Sequence, residues 1–110
     1  FRLLCNCLEK DHAFYRKAYE ITGQNSFEEL MSDYIYHLFL LILSKYPLKA
    51  PDKLAVLTIE AIARFYTFGL ADSLKYWICQ DTLFSGEEVH AAYNYIIRNS
   101  VLDLLEYPLR

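Results

Sequence analysis

From Glu60 to Leu70 the chain reads Glu-Ala-Ile-Ala-Arg-Phe-Tyr-Thr-Phe-Gly-Leu, a helical run with almost no polar side and one glycine, Gly69, between aromatics and a leucine. Glycine inside a helix costs about 1 kcal/mol relative to alanine, so its presence there asks for a compensating close approach of backbones. The surrounding span carries two apolar stripes at helical spacing. Leu54, Leu57, Ala61, Phe65 and Phe68 share one side, while Val56, Ile59, Ala63, Tyr66 and Leu70 share another. A helix with two such stripes touches two things, since one stripe suffices to face a core. A second amphipathic helix follows, opened by Ser85-Gly86-Glu87-Glu88. The pair has the pattern of a helical association surface.

Composition sharpens that expectation. The chain has 110 residues and 55% of them are hydrophobic, above the share usual in globular domains. At this size one domain forms, and roughly a third of the unfolded surface stays wet after folding. The apolar excess therefore needs a sink, either an internal cavity or a partner surface. Ten tyrosines and seven phenylalanines suit both, because a buried tyrosine offers an apolar ring and a hydroxyl that needs a partner.

The formal net charge of -3 and the scattering of the basic residues argue against nucleic-acid binding by this segment itself, which needs clustered Lys and Arg facing phosphates. The longest apolar run, 38–43, is far short of the roughly 18 residues of a membrane span, and no signal-peptide pattern opens the chain. Three cysteines without a spaced framework fit a reducing compartment, so a soluble, cytoplasmic domain is expected. Phe1 stands inside an apolar helical pattern and Met31 is the sole methionine, so the chain reads as a fragment of a longer protein.

The periodicity predicts an all-α fold with about five helices and no strand. Residues 1–9 are read as the tail of a helix. Asp11 caps a second, running from residue 12 to about 22, and Gly23 stops it in the left-handed conformation. Ser26 and Glu29 form a capping box for a third helix reaching about residue 45. Prolines 47 and 51 mark a loop. Asp52 is expected to cap the long fourth helix, bent at Gly69 and ending near 79 or 80. Ser85 with Glu88 makes a second capping box. The helix it opens places Val89, Ala92, Tyr93, Ile96, Ile97, Val101, Leu104 and Leu105 on one face, with Pro108 as the stop.

Catalytic apparatus is not visible. No Ser-His-Asp arrangement, paired catalytic carboxylates, glycine-rich phosphate loop or metal-protease motif is present. Cys5, Cys7, His12 and Cys79 offer zinc-ligand chemistry. Residues two apart on a helix, however, point about 200° from each other, so the cysteines are read as small thiols and neither metal nor cofactor is expected. His37, at the start of the fully apolar stretch, can orient a ligand at a cavity mouth. Glu60 and Arg64 stand at i and i+4 in the order that favours a surface ion pair, with satisfying a tyrosine or a ligand inside the core as the alternative.

Taken in order, Phe14-Tyr15-Arg16-Lys17, Gly23-Gln24-Asn25-Ser26-Phe27, Arg64-Phe65-Tyr66-Thr67-Phe68-Gly69-Leu70, Trp77-Ile78 and Ser85-Gly86-Glu87-Glu88-Val89 resemble the C-terminal region of TetR-type transcriptional regulators. The nearest likeness is to the short class related to the dihydroxyacetone-kinase activator. The resemblance implies an antiparallel helical bundle, with residues 1–110 forming a single effector-binding and dimerisation domain. Its last two long helices would pair with those of a second subunit as a four-helix bundle. It further implies an N-terminal helix-turn-helix domain, absent from this chain, through which alone operator DNA would be bound. Residues 1–9 would then be the far end of the connecting helix. An effector would shift the separation of two DNA-reading heads, which must match half-sites about 34–36 Å apart.

On this reading the dimer interface is expected at Phe65, Tyr66, Gly69, Tyr76, Trp77, Tyr93, Ile97 and Val101, since aromatic anchors commonly dominate interfaces. A pocket for a small apolar or aromatic effector is expected at Tyr34, His37, Leu38, Leu41, Ile62 and Tyr66, with ordinary core packing as the competing role for each. A protein partner is the other candidate effector. An all-α adaptor that binds a protein and never touches DNA is the alternative function.

Overall fold

The computed structural model describes residues 1–24, 26–46, 54–80 and 84–106. Five α-helices follow one another: α1 Arg2–Lys10, α2 His12–Tyr19, α3 Phe27–Leu43, α4 Ile59–Ile78 and α5 Gly86–Arg98, with a 3₁₀ turn at Val101–Leu104. The described residues contain no strand. The expectations placed on Pro47, Pro51, Asp52, the 81–83 connection and Pro108 lie outside the described residues.

α3 and α4 are antiparallel and form the main layer. Glu28 at the start of α3 meets Lys75 near the end of α4 at 3.0 Å, while Phe39 stacks on Tyr66 further along, their centroids 5.6 Å apart. α1 packs against α5 as the second pair, and α2 bridges to both α3 and α4. The core gathers Cys5, Leu8, Tyr19, Met31, Ile35, Leu74, Trp77, Ile78 and Val89. Its α4 members all come from the C-terminal half of that helix. The N-terminal half packs chiefly on α3, so among the described residues one end is tightly filled and the other is open. Its extents of 46 × 37 × 22 Å make it a slab about two helix diameters thick.

Local chemistry sets the helix ends. Ser26 Oγ accepts from the Glu29 amide at 3.2 Å and opens α3. At α5 the capping box is reciprocal, with Glu88 N–H donating to Ser85 Oγ and Ser85 N–H donating to the Glu88 carboxylate. Four boundaries differ from the sequence expectation. α2 stops at Tyr19 rather than near 22, where the β-branched Ile21 and Thr22 follow. Gly23, at φ 105°, serves the turn leading into α3, its carbonyl accepting from Ser26 N–H at 3.2 Å. α3 stops two residues early at Leu43, where Ser44 Oγ turns back onto the Leu40 carbonyl at 2.6 Å.

α4 begins at Ile59, capped by Thr58 Oγ1 on the Ala61 amide at 3.1 Å. Leu54 to Thr58 instead form a turn held by Leu57 N–H on the Leu54 carbonyl. α5 ends at Arg98, well short of Leu105. Asn99 Nδ2 donates to the Tyr95 carbonyl at 2.8 Å, and Ser100 with Asp103 opens the 3₁₀ turn through its own reciprocal box. Short polar side chains that bond their own backbone compete with helix continuation, and here two in a row end it. α4 itself is one continuous helix through Gly69.

Arg64 does not pair with Glu60. Its guanidinium carbon lies 4.8 Å from the centre of the Tyr36 ring on α3, a cation–π contact worth about 0.5–1 kcal/mol at an exposed site.

Candidate functional site

The two stripes read on α4 separate onto two faces. Ala63, Thr67, Leu74, Trp77 and Ile78 are buried, with Leu70 packed against the core. On the opposite side Phe65 is 76% exposed, Phe68 66% and Tyr76 67%. Gly69 lies among them, and a Cβ built on it would meet nothing within 4 Å. A backbone approach at Gly69 therefore does not occur within this subunit. Ile96 on α5 and Val101, Leu104 and Leu105 beyond it are exposed as well.

α4 and α5 are splayed along their seam, and Tyr93 spans it by donating its hydroxyl proton to the Ser73 carbonyl at 3.0 Å. Burial raises the Tyr93 phenol above its ordinary value, with smaller contributions from Cys5 and Tyr76. Two clefts flank this bridge. One of about 320 Å³ is lined by Tyr76, Trp77, Phe84, Val89 and Tyr93 among others. The second, about 160 Å³, involves Tyr66, Gly69, Ser73, Ile96 and Ile97. Most of the residues expected at an interface thus meet along one seam, with Phe65 at its open end and Val101 in the 3₁₀ turn. Trp77 is the exception. It is 3% exposed, fills the core, and donates its indole N–H to the Phe84 carbonyl at 3.0 Å, so it has almost no surface left for a partner.

At the open end a recess of about 850 Å³ is lined by Leu54, Val56, Leu57, Ile62, Phe65 and Tyr66, with Ala55 and Ala61. Its size falls within the range of small-molecule sites, and its lining is apolar as such sites usually are. The expected six-residue pocket is not assembled in one place. Ile62 and Tyr66 line this recess, whereas Tyr34 lines a separate groove with Leu4, Leu8, Tyr15, Phe27 and Met31. Leu38 is half-buried and Leu41 is exposed. The exposed His37 ring lies with Nδ1 2.7 Å from the Asp33 carbonyl of its own helix.

Among the three glycines the close backbone approach occurs at Gly86, which the sequence presents only as part of a cap. A Cβ on Gly86 would stand 2.5 Å from Asn6 Oδ1, 2.8 Å from the Cys5 carbonyl oxygen and 2.9 Å from Asn6 N. Glu9 Oε1 accepts from the Gly86 amide at 2.9 Å. That amide is one of the unpaired donors of a helix start, where the helix dipole also favours a carboxylate. Asn6 Nδ2 donates to Glu87 at 3.0 Å, and Arg2 Nε reaches the same carboxylate at 3.3 Å. Two residues beyond α1, His12 Nε2 lies 3.0 Å from the Ile78 carbonyl in the last turn of α4. The α1–α2 corner thus secures the end of α4 and the start of α5 together.

Cys5 is buried and Cys7 exposed, as their half-turn separation on α1 requires. Burial pushes the Cys5 thiol up to about 11, with Glu87 adding slightly. Among the described residues no helix is long and apolar enough to cross a membrane.

Comparison with known protein families identifies the chain's family. A family model described as a transcriptional regulator C-terminal region, of TetR type, matches residues 1–99. No curated protein and no solved structure matches the chain significantly.

Proposed function

The chain belongs to the family of TetR-type transcriptional regulator C-terminal regions, and from that premise we propose that residues 1–110 form a single regulatory domain. Its work is to hold two subunits together and to sense an effector. The observation that carries the reading is the outward face of α4. Phe65, Gly69 and Tyr76 run along an exposed stripe opposite the helix's own buried face, with Asp72 exposed between Gly69 and Tyr76 and with Ile96 and Val101 exposed beyond α4. Soluble monomers rarely leave apolar surface contiguous on this scale, and a face carried by one helix can meet its own copy across a two-fold axis. Gly69 then provides the close crossing of two α4 helices, while Phe65, Tyr66, Tyr76, Tyr93, Ile97 and Val101 surround it. In an intact regulator the dimer would set the spacing of two DNA-reading heads, and operator DNA would be bound only through them. The assignment to the class related to the dihydroxyacetone-kinase activator rests on the sequence motifs alone.

The apolar recess at the open end supports the sensing half of the proposal. It takes a small apolar or aromatic effector, and it shares Phe65 and Tyr66 with the association stripe, so filling it bears directly on the subunit contact.

Sedimentation velocity on the protein and on Gly69→Leu tests the reading. The wild type is expected to sediment as a dimer. The leucine, whose Cβ meets nothing within 4 Å in its own subunit, should weaken that dimer at least tenfold while helix content is retained. A wild-type monomer at high micromolar concentration would remove the interface and leave the stripe to a different protein, the adaptor function.

A further inference from the structure

The helices sort into two pairs. α3 packs on α4 and α1 packs on α5, whereas the backbones of α1 and α3, and those of α4 and α5, stay apart along most of their length. The open spaces follow the same division. A groove of about 310 Å³ lies between Leu4, Cys7 and Leu8 of α1 and Leu30, Met31 and Tyr34 of α3. On the other flank the clefts of about 320 and 160 Å³ lie between α4 and α5. A boundary hollow on both flanks lacks the close packing that makes neighbouring elements move as one.

Within the α1–α5 pair the contacts run the length of α1. Glu9 holds the Gly86 amide, and Asn6 and Arg2 both hold Glu87. The Phe1 ring lies 5.5 Å from the His90 ring, and Gly86, lacking a side chain, lets the α1 backbone lie directly on α5. The direction of α1 is therefore set by α5. The two pairs join at one end, where Leu8, Trp77, Ile78 and Val89 share the core. There Trp77 donates to the Phe84 carbonyl, and His12 Nε2 lies 3.0 Å from the Ile78 carbonyl. Away from that end the Tyr93 hydroxyl on the Ser73 carbonyl ties α5 to α4, a neutral hydrogen bond of modest net strength. Packed units of this kind shift as rigid bodies about a joint instead of deforming continuously.

We propose that the α1–α5 pair is a rigid arm that swings on the α3–α4 layer, with its pivot at Trp77 and Ile78 and the Tyr93–Ser73 bond as its catch. Phe1 stands seven residues, about 10 Å of helix, beyond Leu8 at the pivot, so the start of α1 travels furthest. As a route from subunit contact to α1 the arm rests on the regulatory reading above; the swing itself does not. Gly69 on α4 and Ile96 on α5 line the same cleft, so a second copy seated there spans the boundary and holds the catch shut.

Pulsed dipolar electron spin resonance on the full chain tests the arm, in a Cys7→Ser, Cys79→Ala background where Cys5 stays buried and unlabelled. Spin labels go on the exposed positions Leu3→Cys of α1 with either Ala91→Cys of α5 or Asp33→Cys of α3. An excess of unlabelled protein removes distances between subunits. The Leu3–Asp33 distribution is expected to be broader than the Leu3–Ala91 one, and to narrow as the subunits associate. Tyr93→Phe, which keeps the ring and removes the catch, should shift or broaden Leu3–Asp33 by about 2 Å or more and leave Leu3–Ala91 unchanged, with helix content retained. Equal widths for the two pairs in the wild type, equal responses to Tyr93→Phe, or no narrowing in a dimer shown by sedimentation would overturn the proposal. A dimer with two equally narrow distributions sinks the arm and spares the interface, and a monomer whose arm swings does the reverse.

Discussion

At the residue scale two glycines exchange the parts that sequence reasoning gives them. Gly69 interrupts an apolar helix and draws attention, yet its neighbourhood within the subunit is empty. Gly86 looks like an ordinary first-turn residue, yet α1 lies directly upon it. The Asn6 side chain can rotate away from a new methyl group, but the Cys5 carbonyl and the Asn6 amide belong to the backbone and cannot. Gly86→Ala is therefore expected to destabilise the fold by about 1–3 kcal/mol, as overpacking does. That corresponds to about 4–8 °C of melting temperature per kcal/mol for a domain of this size. Gly69→Ala, measured below the dimer dissociation constant, should be neutral or gain up to about 1 kcal/mol from helix propensity. Urea titrations of the two variants check both signs.

Cys5 carries a second residue-scale prediction. Its thiol ionises near 9.0 when free and only near 11 in the folded protein. Between those values the folded state holds more protons than the unfolded one, so stability falls as pH rises through the window. The contribution is complete below pH 9 and gone above 11. Tyr19, raised in the same direction, extends the loss upward from the ordinary phenol range. Urea unfolding followed from about pH 8 to about pH 10.5 should show this decline, and Cys5→Ala should flatten its early part. A flat wild-type curve would mean that the thiol is not desolvated as the packing implies.

At the element scale the helices are held by their ends as much as by their faces. α5 starts with a reciprocal Ser85–Glu88 box and a third acceptor, Glu9, contributed by α1. Ser85→Ala should cost about 1 kcal/mol. Combined with Glu9→Ala, the loss should exceed the sum of the single effects, because each variant removes acceptors from one set of orphan amides. Thermal unfolding of the double-mutant cycle reads this directly, and strict additivity would show the two devices to be independent.

The same ends explain what was legible beforehand. Ser26 and Ser85 stand immediately before strongly periodic apolar runs, so the starts of α3 and α5 could be read from the chain. The start of α4 could not, since Thr58 caps from within a run whose apolar spacing extends back to Leu54. The end of α5 was hidden for a similar reason. Val101, Leu104 and Leu105 keep the helical spacing although Asn99 and Ser100 have already turned the backbone out of it. The two faces of α4 were readable as stripes, but which stripe turns inward depends on α3, and Trp77 went to the core because its indole finds Phe84. Tyr19, whose buried hydroxyl finds no hydrogen-bond partner among the described residues, gave no sequence signal at all, since nothing in spacing reveals a missing partner.

At the scale of the whole molecule the decisive asymmetry is that one end is packed and the other is open. The core cluster ties α1, α2, α3 and the last two turns of α4 together, while the first half of α4 packs chiefly on α3 and presents Phe65 and Phe68 to solvent. If a second copy covers the stripe, the native dimer binds what the unfolded chain does not, and the melting temperature must rise with protein concentration. The contact is built chiefly from Phe65, Gly69, Tyr76, Ile96 and Val101, with Asp72 as a lone carboxylate on the α4 face and no opposite charge beside it on that face to form an ion pair. Its strength should therefore change little between about 0.05 and about 0.5 M salt, a range over which exposed ion pairs are strongly screened. Phe65→Glu places a charge in that contact while leaving the core untouched. It should abolish the concentration dependence and return the melting temperature of the dilute wild type, because the protomer's own packing ends on the opposite face of the helix. Differential scanning calorimetry across a hundredfold range of concentration distinguishes the cases. A wild-type midpoint independent of concentration, or a dimer that dissolves with salt, would place the subunit contact somewhere other than the outward face of α4.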